Sequence, residues 1–298
     1  MKMKTKTLFI LPALIAGLGF LATSRVTAQT FTTLYSFTAN SANSWGAYTN
    51  SDGANPYAGL TVAGTTNTRY GTTSLGGSLG AGTVFAVNTD GTGFTNLHSF
   101  NYSDGATPWA GLILSGNTLY GTAYYGGGST MNYDGGRGHG TVFAINTDGS
   151  GLRILHSFTE TDAFGINGDG AYPNAGLILS GNTLYGTASR GGSLGSGTVF
   201  KVNTDGTRFT SLHSFTATDG ADPVAGLILS GGTLYGTTAY GGSSGNGTLF
   251  KVNTDATGFT VLHSFPQTYQ TGNGGGGGGG GGGGVIIIPP CTGFCGGA

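Results

Sequence analysis

Between residues 34 and 265 the chain states one pattern four times, and a chain that repeats itself folds as an array of like units. The pattern opens with A-G-L at Ala58-Gly59-Leu60, Ala110-Gly111-Leu112, Ala175-Gly176-Leu177 and Ala225-Gly226-Leu227. Y-G-T follows at Tyr70, Tyr120, Tyr185 and Tyr235, and then a Thr-Val/Leu-Phe segment ends at Phe85, Phe143, Phe200 and Phe250. N-T-D comes next at Asn88, Asn146, Asn203 and Asn253, and each unit closes with L-H-S-F, ending at Phe100, Phe158, Phe215 and Phe265. A fifth closing element, Leu34-Tyr35-Ser36-Phe37, precedes the first full unit. Corresponding points lie 50 to 65 residues apart, a spacing of propeller blades rather than of helical solenoids.

The third unit gives the local structure. Short apolar or β-branched runs at 176–179, 183–187, 198–202 and 209–215 are separated by Ser180-Gly181-Asn182, a Gly/Ser loop at 190–197 and Asp205-Gly206, so the unit reads as four antiparallel strands. After residue 28 no stretch keeps helical spacing without a glycine breaking it. One such sheet cannot shield its own apolar side chains, so neighbours must cover it. The expected class is all-β, with tandem four-stranded repeats forming a small, four-bladed β-propeller in which a terminal strand is shared for closure. Either residues 31–37 or residues 259–265 would close the ring, and an open array or a larger ring of two chains fits the same count.

These residues carry a resemblance. The four cycles of AGLILSGNTLYGT, GTVFAVNTDGTGF and LHSF, over about residues 34–265, resemble the GloVer (Gloeo/Verruco) tandem-repeat proteins, the "choice-of-anchor" family. The resemblance implies a secreted, surface-associated protein and supplies no catalytic residues to carry over.

The flanks fit export. Lys2, Lys4 and Lys6, an apolar run at 8–22 and Val26-Thr27-Ala28 read as a signal peptide over residues 1–28, with the repeat domain at 29–268 and a tail at 269–298. Beyond the signal, seven Lys and Arg face twelve acids, so no basic patch is available for nucleic acid. The tail holds an unbroken glycine tract at 274–284, then Val285, Ile286, Ile287 and Ile288, too few apolar residues to span a bilayer. No transmembrane segment is therefore expected once the signal is cleaved. Cys291 and Cys295 could close a small disulfide loop or link two chains, and lack the further ligands a zinc site needs.

Where the copies differ is more informative than where they agree. The tight hairpins hardly vary, whereas insertions at 39–57, 124–139 and 160–174 fall on the opposite rim. That rim carries Trp45, Tyr57, Trp109, Tyr124, Tyr125 and Tyr172 among Asp104 and Asp169. Long loops on a rigid scaffold are where binding sits. Aromatic faces stacked on sugar rings, with Asp side chains accepting hydrogen bonds, would suit an extracellular polysaccharide or a surface protein. The plainer reading is that the rings cover core.

Catalytic and metal motifs are weaker. G-x-S-x-G at 76–80, 191–195 and 241–245 lacks the helix that a nucleophilic serine requires. His98, His156, His213 and His263 occupy equivalent strand positions on the same face as the closing Phe, and Tyr35 stands there in the extra copy, so packed, hydrogen-bonded rings are expected rather than ligands. Asn50-Ser51-Asp52-Gly53 and Asn167-Gly168-Asp169-Gly170 resemble the start of a calcium loop, but Glu160 is the chain's one glutamate, so no cofactor is expected and calcium stays an open alternative. Rim aspartates Asp52, Asp104, Asp169 and Asp219 could pair across a groove as in a glycoside hydrolase, the alternative to a non-catalytic binding or structural module.

Overall fold

A computed structural model describes residues 31–42, 48–62, 64, 66–128 and 138–266. The backbone divides into Met1–Thr33 and a second unit, Leu34–Ala298, which contains every strand assigned. Residues 1–28, read as a signal peptide, lie outside the described residues, as do Trp45, the glycine tract, Cys291 and Cys295.

All regular structure among the described residues is β. A short hairpin, β1 (Ser41–Ala42) and β2 (Tyr48–Thr49), precedes four sheets. The first is β3 (Thr61–Val62), β4 (Thr68–Thr73), β5 (Thr83–Asn88) and β6 (Thr95–Ser99), and the second is β7 (Ile113–Ser115), β8 (Thr118–Ala123), β9 (Thr141–Asn146) and β10 (Arg153–Ser157). The third is β11 (Ile178–Ser180), β12 (Thr183–Ala188), β13 (Thr198–Asn203) and β14 (Thr210–Ser214), and the fourth is β15 (Ile228–Ser230), β16 (Thr233–Thr238), β17 (Thr248–Asn253) and β18 (Thr260–Ser264). Each is an antiparallel meander in chain order, as the turn chemistry of the third unit indicates.

Both faces of the sheets are used, which is why the third strand reads T-V-F-x-V-N without polar alternation. In the third unit, Leu177, Leu184, Phe200 and Val202 pack against Tyr120, Val142, Leu155 and Phe158 of the unit before. On the other face, Tyr185, Val199, Leu212 and Phe215 pack against Leu227, Leu234, Phe250 and Val252 of the unit after. The same arrangement joins the first and second sheets. Each interface is reinforced by a threonine hydroxyl donating to the alanine carbonyl of the next A-G-L, from Thr72 to Ala110 at 3.0 Å, Thr122 to Ala175 at 3.2 Å and Thr187 to Ala225 at 3.3 Å.

The fourth strand carries a bulge at the leucine of L-H-S-F. Val199 pairs with His213 and Phe200 with Ser211, which leaves Leu212 between them. The extra residue lets Leu212, His213 and Phe215 all serve the interface with the next unit, and Phe215 meets Phe250 edge-on at 5.0 Å.

The glycine of Y-G-T is fixed by space. A Cβ on Gly186 would lie 2.6 Å from Phe200 Cζ and 2.8 Å from Leu177 Cδ2. Gly186→Ala is therefore expected to lose about 1–3 kcal/mol through overpacking. Chemical denaturation measures it, and an unchanged midpoint would show that Phe200 can move aside.

The two ends of the array differ. Residues 34–37 lie against the first sheet, where Tyr35 stacks on Phe94 at 3.8 Å and Phe37 meets Phe85 edge-on at 5.4 Å. They thereby fill the place that a preceding unit's L-H-S-F fills elsewhere. At the far end, Leu262 and Phe265 are 45% and 44% exposed, although Leu212 and Phe215 are buried. Of the two candidates for sharing, the N-terminal segment takes the place beside the first sheet. The sequence leaves both candidates open, and each sheet keeps its own four strands without sharing one.

Candidate functional site

The entry into each unit is held by main-chain bonds, and this determines which side chains are free to differ. Asn55, Thr107, Tyr172 and Asp222 occupy equivalent places just before a proline, with φ of 57°, 55°, 60° and 57°. Positive φ is costly for non-glycine residues and above all for a β-branched one such as Thr107, so the surroundings must enforce it. They do so from both sides. The N–H groups of Thr107, Tyr172 and Asp222 donate to Ala81, His139 and Ser196 in the preceding unit, at 2.8, 2.7 and 3.0 Å. Their carbonyls accept from Tyr124, Ser189 and Ala239 within their own unit, at 3.2, 3.1 and 3.0 Å.

Because the lacing uses backbone atoms, the side chains change from unit to unit. The residue after the proline is Tyr57, Trp109, Asn174 or Val224, and the pair after the second strand is Ser74-Leu75, Tyr124-Tyr125, Ser189-Arg190 or Ala239-Tyr240. The acceptor position in the glycine loop is Ala81, His139, Ser196 or Asn246. A constant frame thus presents a variable rim.

Aromatic choices cluster around the second unit. Trp109 lies 4.3 Å from Tyr124, Tyr124 stacks on Tyr172 at 5.1 Å, and Tyr125 meets Tyr124 edge-on at 4.7 Å. His139, buried, stands 5.2 Å from Tyr172. Among the described residues, Trp109 and Tyr57 line a cavity of about 310 Å³, and Tyr57 is 71% exposed. Ring faces here are shared among the tyrosines, while Tyr57 and the half-buried Trp109 offer surface to a ligand. Further along the rim, Arg190 stands 3.6 Å from Asp222, whose carboxyl is pushed up by burial against the pull of that guanidinium.

The carboxylates of Asp104 and Asp169 face the junctions between units. His98 Nε2 lies 3.0 Å from Asp104 Oδ2, His156 Nε2 lies 2.9 Å from Asp169 Oδ2, and His213 Nε2 lies 3.1 Å from Asp219 Oδ2. Each pair ties the last strand of one unit to the entry turn of the next. The rings also stack across the junction, His156 on Phe209 at 3.5 Å and His213 on Phe259 at 3.4 Å. Tyr35 repeats the arrangement at the first unit, its hydroxyl donating to Asp52 at 2.7 Å, and burial together with that carboxylate pushes the phenol up to about 12.

Burial pushes the Asp169 carboxyl up, but bonds from His156 and from the hydroxyl and amide of Thr159 outweigh it and hold the group below its ordinary range. Asp52 is held low in the same way by Thr38 and Tyr35 against its own burial. Asn50 Oδ1 accepts from Gly53 and Gly77, and Asn167 Oδ1 accepts from Gly170 and Gly192. The oxygens that a calcium loop would use are therefore engaged in the protein's own bonds, and the aspartates needed for hydrolysis hold units together.

At the glycine loops, Gly76, Gly77 and Gly80 have φ near 75°, and the chain leaves toward β5 rather than into a helix. Ser78, Ser193 and Ser243 thus sit in turns without the setting of a nucleophile.

The repeat that builds this rim is recognisable as a family signature, since the Gloeobacter/Verrucomicrobia repeat matches residues 128–286. The chain belongs to that family. No curated protein matches it. Among solved structures, it is similar to a chain of the nidogen/laminin complex at 15% identity and TM-score 0.43, covering 67% of this chain and 60% of that one. TolB from Acinetobacter baumannii is similar at 14% identity and TM-score 0.39, over 68% of this chain and 43% of its own. The GH74 enzyme of Niastella koreensis is similar at 17% identity and TM-score 0.43, over 68% and 29%. The chain spans less than two thirds of the length of each.

The sequence singled out Tyr57, Trp109, Tyr124, Tyr125 and Tyr172, and the structure brings the last four together with Tyr57 across the cavity. It missed His139, which aligns with Ala81, Ser196 and Asn246 once the loops are counted back from the Thr-Val-Phe strand.

Proposed function

We propose that this member of the Gloeobacter/Verrucomicrobia repeat family is a secreted, non-catalytic binding module that engages extracellular polysaccharide through the aromatic rim around Trp109. In this reading residues 1–28 are a cleaved signal and the four sheets are blades of a propeller-type array. No cofactor or calcium takes part. One observation carries the reading. The residues that differ between units are ones whose backbone, not side chain, makes the lacing, and around the second unit their rings converge as Trp109, Tyr124, Tyr125 and Tyr172.

Sugar rings present apolar C–H faces that stack on exposed aromatics, and a cavity with few polar groups suits them. Affinity electrophoresis through gels containing soluble β-glucan, xylan or mannan tests the reading. At least one polymer should retard the mature chain, and Trp109→Ala together with Tyr57→Ala should weaken retardation about tenfold, the equivalent of about 1.4 kcal/mol. If no polymer retards the wild-type chain, the polysaccharide reading is wrong.

A further inference from the structure

The first and fourth sheets carry, on their outer faces, the two halves of the junction that recurs inside the array. At each internal junction a threonine hydroxyl donates to the next A-G-L alanine carbonyl, and a histidine meets the next entry-turn aspartate. Lys201 adds a bond to the Thr254 carbonyl of the following unit at 2.9 Å. The β15–β18 sheet repeats this donating half as Thr237, His263 and Lys251, and none of the three makes its counterpart bond among the described residues. Beside them Ile228 is 68% exposed, with Leu262 and Phe265 also open.

The first sheet repeats the accepting half. Leu60 is 44% exposed where Leu112, Leu177 and Leu227 are 5%, 3% and 4%, and the Ala58 carbonyl receives no threonine bond among the described residues. Arg69 replaces the leucine buried at 119, 184 and 234, but its guanidinium turns to the carbonyls of Thr66 and Thr68, at 3.0 and 3.1 Å. Residues 34–37 cover only part of this half. Tyr35 stands in for the histidine on Asp52 and Phe94, and Phe37 for the closing phenylalanine on Phe85. Every L-H-S-F strand is laddered to a third strand of its own, whereas no strand is assigned at 34–37. Side-chain contacts and the bonds from Thr38 to Asp52 hold that segment in place. A stand-in for one strand is displaceable by a whole sheet that offers the same strand and the missing three.

The occupant that matches the β15–β18 face is therefore a first unit. The chain's own first unit is not there, because Leu60 and Ile228 both stay exposed. A second copy presenting its own β15–β18 face would bring neither an A-G-L carbonyl for Thr237 nor an entry-turn carboxylate for His263, and would leave Leu60 bare.

We propose that the outer face of the β15–β18 sheet docks the first unit of a second copy, with residues 34–37 holding that place until residues 262–265 of the neighbour displace them. In the docked pair Thr237 donates to Ala58, His263 meets Asp52, Lys251 reaches the Thr89 carbonyl and Phe265 replaces Phe37 on Phe85. Head-to-tail contacts of this kind close into a ring or extend as a filament. The sugar-binding reading is independent of this docking.

The test is sedimentation velocity on the mature chain, on a Tyr35→Ser and Phe37→Ser variant, and on that variant with Ile228→Asp added. Removing the stand-in should tighten self-association about tenfold or more, since more of the chain is then competent to dock. Ile228→Asp should abolish the gain. A folded double variant that associates no more than the wild-type chain would overturn the proposal, as would association that survives Ile228→Asp. Benzoylphenylalanine at position 228 gives a second readout, in the double variant or, if that fails to fold, in the otherwise unchanged chain at its highest soluble concentration. Crosslinks between chains to peptides from 57–62 support the docking. Crosslinks to the peptide around position 228 of another chain, to 57–62 of the same chain, or to neither, overturn it.

Discussion

Phe158→Ala is expected to cost about 3–5 kcal/mol, while Phe265→Ala, the same substitution at the same place in the repeat, is expected to cost about 1 kcal/mol. Phe158 is 3% exposed, meets Phe200 at 5.3 Å and Phe209 at 5.8 Å, and shares a buried cluster with Leu177, Leu184 and Val202 of the next unit. Its removal leaves a void bounded by rings that cannot close inward without shifting a sheet. Phe265 is 44% exposed, and its neighbouring ring is His263 at 5.0 Å. Urea denaturation followed by tyrosine and tryptophan fluorescence measures both. Equal losses would mean that the outer face of the fourth sheet is as firmly covered as an internal junction, and the asymmetry described here would be wrong.

Asp169→Asn is expected to cost about 2–3 kcal/mol at neutral pH, because it removes charge-assisted bonds to His156 and Thr159 at a junction where the residue is 8% exposed. The sign of the pH dependence follows from the same group. Its folded carboxyl is held below the ordinary range, so its contribution is complete above the unfolded value of about 3.9 and drains away as pH falls further.

His213 acts at higher pH. Burial depresses its ring against the pull of Asp219, so the unfolded chain takes up a proton that the folded chain resists, and stability declines as pH drops through about 6.5. Melting temperature recorded from pH 8 to about pH 2 should therefore fall in two steps. Asp169→Asn should flatten the lower step and His213→Gln the upper. A profile that is level down to pH 4 in the wild-type chain would contradict the account of these junctions.

Much of the architecture was readable from the residues alone. The strand runs at 183–187 and 198–202 appear as β12 and β13, and the division between tight hairpins and a variable rim holds, because glycine and Asp-Gly placement fixes turns locally. The histidines were also legible as packed, hydrogen-bonded rings. Their partners were not. The carboxylate facing His98 lies beyond a turn in which Tyr102 takes a φ of 67°, and nothing in a single sequence signals that Tyr102 adopts it. Asp104 and Asp169 read as rim residues, and the sequence did not signal that their carboxylates meet His98 and His156 at the junctions between units. The exposure of Phe265 was hidden for a related reason. A repeated motif looks the same whether or not a neighbour follows it.

The left-handed residues ahead of each proline have a practical meaning. Thr107, Tyr172 and Asp222 are gripped by their peptide groups, and three unlike side chains already stand on that grip. The side chains at these places can therefore be exchanged without redesigning the interior. Variation and foldability are written in separate parts of the same fifty-residue phrase.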